Sequence, residues 1–140
     1  MNVILVDSFE EMREIYENSP FNNYLGIKLE KFEEGSVTYT LKTTQSHLNV
    51  NQAIHGGVFF SLLDSVTGAT IRSVIKQPIV TVNMSIHYFA PAKNGELLTA
   101  SAKIIQQGNS IVTAEASIVD SVGNVLAKSI GTFKKIRRKN

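Results

Sequence analysis

One segment limits what this chain can fold into. From Gly57 to about Ile75, Val58, Leu62, Val66 and Ala69 share a helical stripe, and Phe59, Phe60 and Leu63 widen it until most of the circumference is apolar. A helix apolar on most sides has to be buried, so the rest of the chain must wrap it. That rest reads as strands. Val37, Tyr39, Leu41 and Thr43 alternate with Ser36, Thr38, Thr40 and Lys42, and Val80, Val82, Met84, Ile86 and Tyr88 alternate with Thr81, Asn83, Ser85 and His87. Two more alternating runs, Leu98 to Ile104 and Val112 to Ile118, precede a last strand from Val125 to Ile136. Turns at Glu34-Gly35, Asn94-Gly95, Gly108-Asn109 and Gly123-Asn124 are hairpin-length, which implies antiparallel pairing. Tyr24 to Phe32 reads as a first strand. Ahead of it Ser8-Phe9-Glu10-Glu11 has the form of a capping box, opening a helix with Phe9, Met12, Ile15 and Tyr16 on one face that Pro20 stops. The expected architecture is α+β: one domain over residues 1–140, an antiparallel sheet of about five or six strands wrapped around a long central helix.

Several classes of function drop out early. The chain has no cysteine, which removes disulfides, thiol nucleophiles and thiolate metal sites and fits a reducing, cytoplasmic setting. Its net charge of +2 is uneven: Lys134, Lys135, Arg137, Arg138 and Lys139 crowd the last seven residues. The remainder holds nine basic groups against twelve acidic ones, so the body is not that of a nucleic-acid binder. Val3-Ile4-Leu5-Val6 is too short for a leader, and the weakly charged stretch Thr43 to Ile71, with Asp64 its only acid, also carries Gly56, Gly57, Ser61 and Thr67, which argues against a membrane span. His47, His55 and His87 show no metal-ligand spacing, and no nucleotide-binding glycine motif or Gly-x-Ser-x-Gly elbow occurs. Neither metal nor cofactor is expected.

The chemistry-bearing residues cluster at the central helix. His55-Gly56-Gly57 stands where the helix begins, and a helix start offers unpaired N–H groups and a positive dipole end. Glycines there let a ligand approach the backbone, the architecture of an oxyanion hole; they would equally allow close helix–sheet packing. Asp64 is a carboxylate in the middle of the most apolar helix, and burying it unpaired would cost several kcal/mol or raise its pKa. It needs a partner, a water-filled site or a catalytic task. Gly56 and Asp64 are eight residues apart, about 12 Å along the helix axis. If both serve one reaction, Asp64 must come from a second copy of the chain, with active sites at a dimer interface.

Asn49, then His55-Gly56-Gly57, then Leu63-Asp64, with Thr81-Val82-Asn83-Met84 running on to Tyr88-Phe89-Ala90-Pro91-Ala92 and Gly95-Glu96, resemble the PaaI-type hotdog-fold acyl-CoA thioesterases from about Phe21 to Lys134. The resemblance implies that Gly56 N–H polarises the thioester carbonyl, with Gly57 extending the helix start. It implies that Asp64 activates water, or attacks the thioester itself, across a dimer interface. It gives Asn49 a part in placing the carbonyl or the water, His55 a supporting part in the polar cluster, and Thr81 the hydroxyl that assists the water. It also implies a tetramer built from dimers. Two departures stand out: the loop Val50-Asn51-Gln52-Ala53-Ile54 lacks the glycine often found near its centre, and Asn83 occupies a position often acidic.

The leading expectation is a homodimeric acyl-CoA thioesterase that yields free acid and CoA, with no nucleic-acid or membrane partner. A non-catalytic acyl-CoA-binding hotdog domain is the alternative, although pure binding has no need of a carboxylate in an apolar helix. A hotdog hydratase or dehydratase fits the Asn49–His55–Asp64 spacing less well. The cationic terminus, Lys135 and Arg137 in particular, is the expected contact for the CoA nucleotide, with a merely solvated terminus as the competing reading.

Overall fold

The computed structural model describes residues 8–137. The central helix α3 runs Gly56–Ile75 and buries ten side chains, among them Leu62, Leu63 and Val66, which have essentially no exposed surface. By length and composition α3 could cross a bilayer, but it is instead the object that the sheet encloses. Six antiparallel strands surround it: β1 Ile27–Glu33, β2 Ser36–Lys42, β3 Ile79–Tyr88, β4 Leu97–Gln107, β5 Ile111–Val119 and β6 Val125–Lys135. Their spatial order is β1-β2-β4-β5-β6-β3, so β1 and β3 form the two edges. This is the wrap that the apolar helix requires, and the hotdog arrangement that the sequence resemblance implies.

The core lies between α3 and the inner faces of the strands. Tyr39 and Leu41 of β2, Leu98 and Ala100 of β4 and Ala116 and Ile118 of β5 pack on Leu62, Leu63, Val66 and Ala69. A second cluster of Ile71, Val112, Ala114 and Phe133 fills the far end of the helix. Helix α1, Phe9–Glu17, starts at Ser8, whose Oγ accepts from the Glu11 N–H at 3.1 Å, as the capping pattern predicts. Its Phe9 and Tyr16 rings close on Phe32 of β1, with centroids 5.0 and 5.7 Å away.

The structure corrects the sequence reading in two places. Pro20 does not simply end α1: it opens a second short helix α2, Pro20–Leu25, where a first-turn proline loses no hydrogen bond. Gly26, at φ 86°, ends α2, so β1 begins at Ile27 rather than Tyr24. The second correction concerns β3. Its alternation predicts Val80 and Val82 on the face of Met84 and Ile86, but a bulge between Thr81 and Asn83 inserts one residue. Ahead of the bulge the inward residues are Ile79 and Thr81, Thr81 lying opposite the buried Phe133; beyond it they are Met84 and Ile86. Val82 is left 57% exposed. The bulge therefore turns Thr81, read from sequence as an outward polar residue, toward α3.

Candidate active site

The approach to α3 is a loop pinned by polar contacts. His47 closes a short 3-10 turn, Gln45–His47, and is buried. Its Nδ1 accepts from the Thr44 N–H at 2.9 Å and its Nε2 meets the Leu25 carbonyl at 2.7 Å, so the ring is neutral with the proton on Nε2. The His47 carbonyl in turn accepts from the His55 N–H at 2.8 Å. Between them Asn49 Oδ1 accepts from the N–H groups of Asn51 and Ala53, at 2.9 and 3.1 Å. Asn49 thus shapes the loop with its carbonyl oxygen and leaves its amide nitrogen uncommitted among the described residues. Gln52 takes the left-handed φ of 63°, the conformation that glycine adopts most freely.

At the helix start the donors sort themselves out. His55 is the N-cap, and its Nδ1 accepts from the Gly57 N–H at 2.8 Å. The Val58 N–H donates to the His55 carbonyl at 2.9 Å. The Gly56 N–H makes no hydrogen bond among the described residues, so it is the first-turn donor available to a ligand. Gly57, expected as part of the binding site, has its N–H committed to the cap, and a Cβ there would stand 3.0 Å from His55 Nδ1. The cap fixes the tautomer of His55: Nδ1 accepts, so Nε2 carries the proton.

Two turns along α3, Asp64 is half-buried on the flank that faces β3. The hydroxyl of Thr81 donates to Asp64 Oδ1 at 2.9 Å, and the β3 bulge is what aims it there. That bond orients the carboxylate and leaves Oδ2 free to accept, and no ion pair reaches Asp64 among the described residues. Phe60, one turn earlier on the same flank, is 42% exposed, and Val82 and Tyr88 of β3 and Phe89 just past it are more exposed still. Of the residues expected in the site, Asp64 and Thr81 are brought together, and so are Asn49, His55, Gly56 and Gly57. The two groups stay apart within one chain, as the helix rise requires.

Comparisons with known proteins bear on the family and the fold. Residues 51–127, more than half of the chain, match the family described as the thioesterase superfamily. The chain belongs to that superfamily. The human acyl-coenzyme A thioesterase 13 is 30% identical over 111 residues, spanning 77% of this chain and 79% of that one. The structure of the PaaI protein from the phenylacetic acid degradation operon of Escherichia coli superposes with a TM-score of 0.85 at 27% identity, covering 93% of this chain and 97% of that one. A hypothetical thioesterase protein from Streptococcus pneumoniae, solved with coenzyme A, superposes with a TM-score of 0.75 at 27% identity, covering 81% of this chain and 91% of that one.

Lys135 and Arg137 lie at the other end of the thioesterase domain's last strand. β6 ends at Lys135, so strand alternation does not carry through to Arg137, yet both line one open groove of about 520 Å³ with Val80 and Ser110. Phe133 opposes Thr81, so Lys135 is two residues, about 7 Å, further along the same face. Arg138 and Lys139 lie outside the described residues, as does Val3 to Val6. A second groove, about 290 Å³, runs beside Gly57 and His55 against Phe21, Leu25, Leu48 and Val58.

Sequence reasoning missed Tyr88 and His47. Tyr88 reads as one more apolar position of a strand, but its hydroxyl donates to the Gly56 carbonyl at 2.9 Å and its ring stacks on Phe59. Partial burial raises its pKa, so at neutral pH it is the protonated donor. Nothing in the spacing of His47 signals that it anchors α2 to the loop before α3.

Proposed function

We propose that this chain hydrolyses the thioester of an acyl- or aryl-CoA to the free acid and CoA, in sites shared by two copies. The carrying observation is the division of labour along α3. A free backbone N–H stands at its first residue, and a hydroxyl-oriented carboxylate stands two turns on, too far away to serve the same carbonyl. The family supports the thioester chemistry, and relatives named as acyl-coenzyme A thioesterases support CoA as the carrier.

In this reading the Gly56 N–H of one copy holds the thioester carbonyl, and the amide nitrogen of Asn49 helps place the carbonyl or the water. Asp64 of the other copy, oriented by Thr81, takes a proton from water as its oxygen attacks the carbonyl carbon. The carbonyl oxygen gains charge against the Gly56 N–H and the positive end of α3. Collapse of the tetrahedral species breaks the C–S bond, and the departing thiolate takes up the proton to leave as CoA. The acyl chain finds apolar surface beside Gly57, on Phe21, Leu25, Leu48 and Val58. Lys135 and Arg137 offer charge to the phosphates of the nucleotide, on the Asp64 side of the site.

The dimer that this mechanism needs has a ready surface. β3 hydrogen-bonds to β6 along one side and has no strand on the other among the described residues. Exposed large apolar side chains flank that open edge, a combination that natural sheets normally cover. A hydrolysis screen over aryl, short, medium and long acyl-CoAs tests the reaction. Asp64→Asn tests the mechanism: kcat should fall at least about a hundredfold, the scale of losing a general base, with KM and fold retained. Turnover close to that of the unaltered enzyme would remove Asp64 from the mechanism, and no hydrolysis of any acyl-CoA would leave a binding domain.

A further inference from the structure

We infer that Tyr88 is a positioning residue for the oxyanion donor, holding the Gly56–Gly57 peptide so that the Gly56 N–H keeps its reacting orientation. This rests on the proposed role of Gly56 in polarising the thioester carbonyl.

Two successive glycines are the softest backbone a helix can start with, since each has more conformations to lose than any other residue. A donor built on such a turn is preorganised only if something outside the turn fixes it. Both polar atoms of the Gly56–Gly57 peptide are held by side chains. Its carbonyl accepts from Tyr88 Oη at 2.9 Å, and its N–H donates to His55 Nδ1 at 2.8 Å. Rotation of this peptide, the easiest rearrangement open to Gly-Gly, breaks both bonds at once.

The Tyr88 ring supplies the third constraint. A Cβ on Gly56 would sit 3.4–3.5 Å from Tyr88 Oη, Cε1 and Cζ, so the ring edge lies in contact distance of the glycine. The ring in turn stacks on Phe59 at 5.9 Å and 16° between planes, and Phe59 is 2% exposed in the core. The rigidity of the core thus reaches Gly56 through Phe59 and Tyr88. From there only the two torsions of Gly56, ψ and φ, separate the pinned peptide from the N–H that meets substrate. If Tyr88 served only to pack, phenylalanine would replace it without effect, because the stack on Phe59 and the contact with Gly56 would both remain.

The test compares the unaltered enzyme with Tyr88→Phe by two measurements. One is kcat and KM on an acyl-CoA that the enzyme hydrolyses. The other is the vibrational band of a ¹³C-labelled carbonyl in a ketone analogue of that acyl-CoA, in which CH2 replaces sulfur so that nothing is cleaved. The unaltered enzyme should shift the band to lower frequency than in water, and Tyr88→Phe should lose a measurable part of that shift. Its kcat should fall about three- to tenfold, the effect of one ordinary hydrogen bond, with KM changed less than about twofold. A shift that Tyr88→Phe leaves intact overturns the positioning role while leaving Gly56 as the donor, whatever happens to kcat. No shift in the unaltered enzyme overturns the role of Gly56 itself, and this inference with it.

Discussion

Removing the His55 ring should loosen the helix start by an amount the cap geometry sets. Nδ1 accepts from the Gly57 N–H at 2.8 Å, and losing an N-cap acceptor costs about 0.5–2 kcal/mol. Gly57 is exposed, so water can take over the orphaned N–H and the cost belongs in the lower half of that range, about 0.5–1 kcal/mol. For a domain of this size His55→Ala should lower Tm by about 2–5 °C. It should also lower kcat, since the Gly-Gly turn then lacks one of its two tethers. His55→Asn separates the cap from any chemistry of the ring, because Asn Oδ1 stands where His Nδ1 does, one bond beyond Cγ. If His55 serves the turn, Asn restores both Tm and most of kcat. The assay is a thermal melt and a steady-state rate on the same preparations of all three proteins. A His55→Ala midpoint unchanged within about 1 °C, or an Asn variant no more stable than the Ala variant, would refute the capping argument.

Two further outcomes follow from the geometry. Thr81→Val removes the 2.9 Å bond to Asp64 Oδ1 and should reduce kcat about three- to thirtyfold with little change in KM, whereas Thr81→Ser should retain most activity; equal rates for Val and Ser would detach Thr81 from Asp64. Lys135→Ala combined with Arg137→Ala should raise KM for an acyl-CoA about two- to tenfold, less so at high salt, and leave the matching acyl-pantetheine unaffected; equal effects on both substrates would reject the groove as a nucleotide site.

The fold was legible because its strongest signal is also its organising element. The stripe of Val58, Leu62, Val66 and Ala69 demanded enclosure, and clean alternation in Leu98 to Ile104 and Val112 to Ile118 supplied the sheet that encloses it. Alternation failed at β3, where an extra residue shifts the phase and no glycine or proline marks it. Asp64 was legible as an anomaly, a carboxylate where apolar residues dominate. Its partner Thr81 was assigned by resemblance, but the means of reaching it, a bulge, left no trace in the pattern. In the loop before α3, Gln52 adopts a left-handed φ at some cost in backbone energy, which nothing in its sequence signals. Tyr88 was hidden because its two roles, an apolar face on Phe59 and a hydroxyl on Gly56, look from sequence like one aromatic residue in a strand.

The central claim is that each active site takes Gly56 from one copy and Asp64 from another, and one mixing experiment addresses it. Gly56→Pro deletes the N–H in question at a first-turn position suited to proline, and His55, at φ −60° and ψ 137°, already has the backbone that a residue before proline needs. Asp64→Asn removes the carboxylate. Each variant by itself should be nearly inactive. Denatured and refolded together in equal amounts, they should regain about a quarter of the activity of the unaltered enzyme, because half of the dimers are mixed and each carries one intact site of two. Mixtures no more active than the average of the two variants would contradict the shared site.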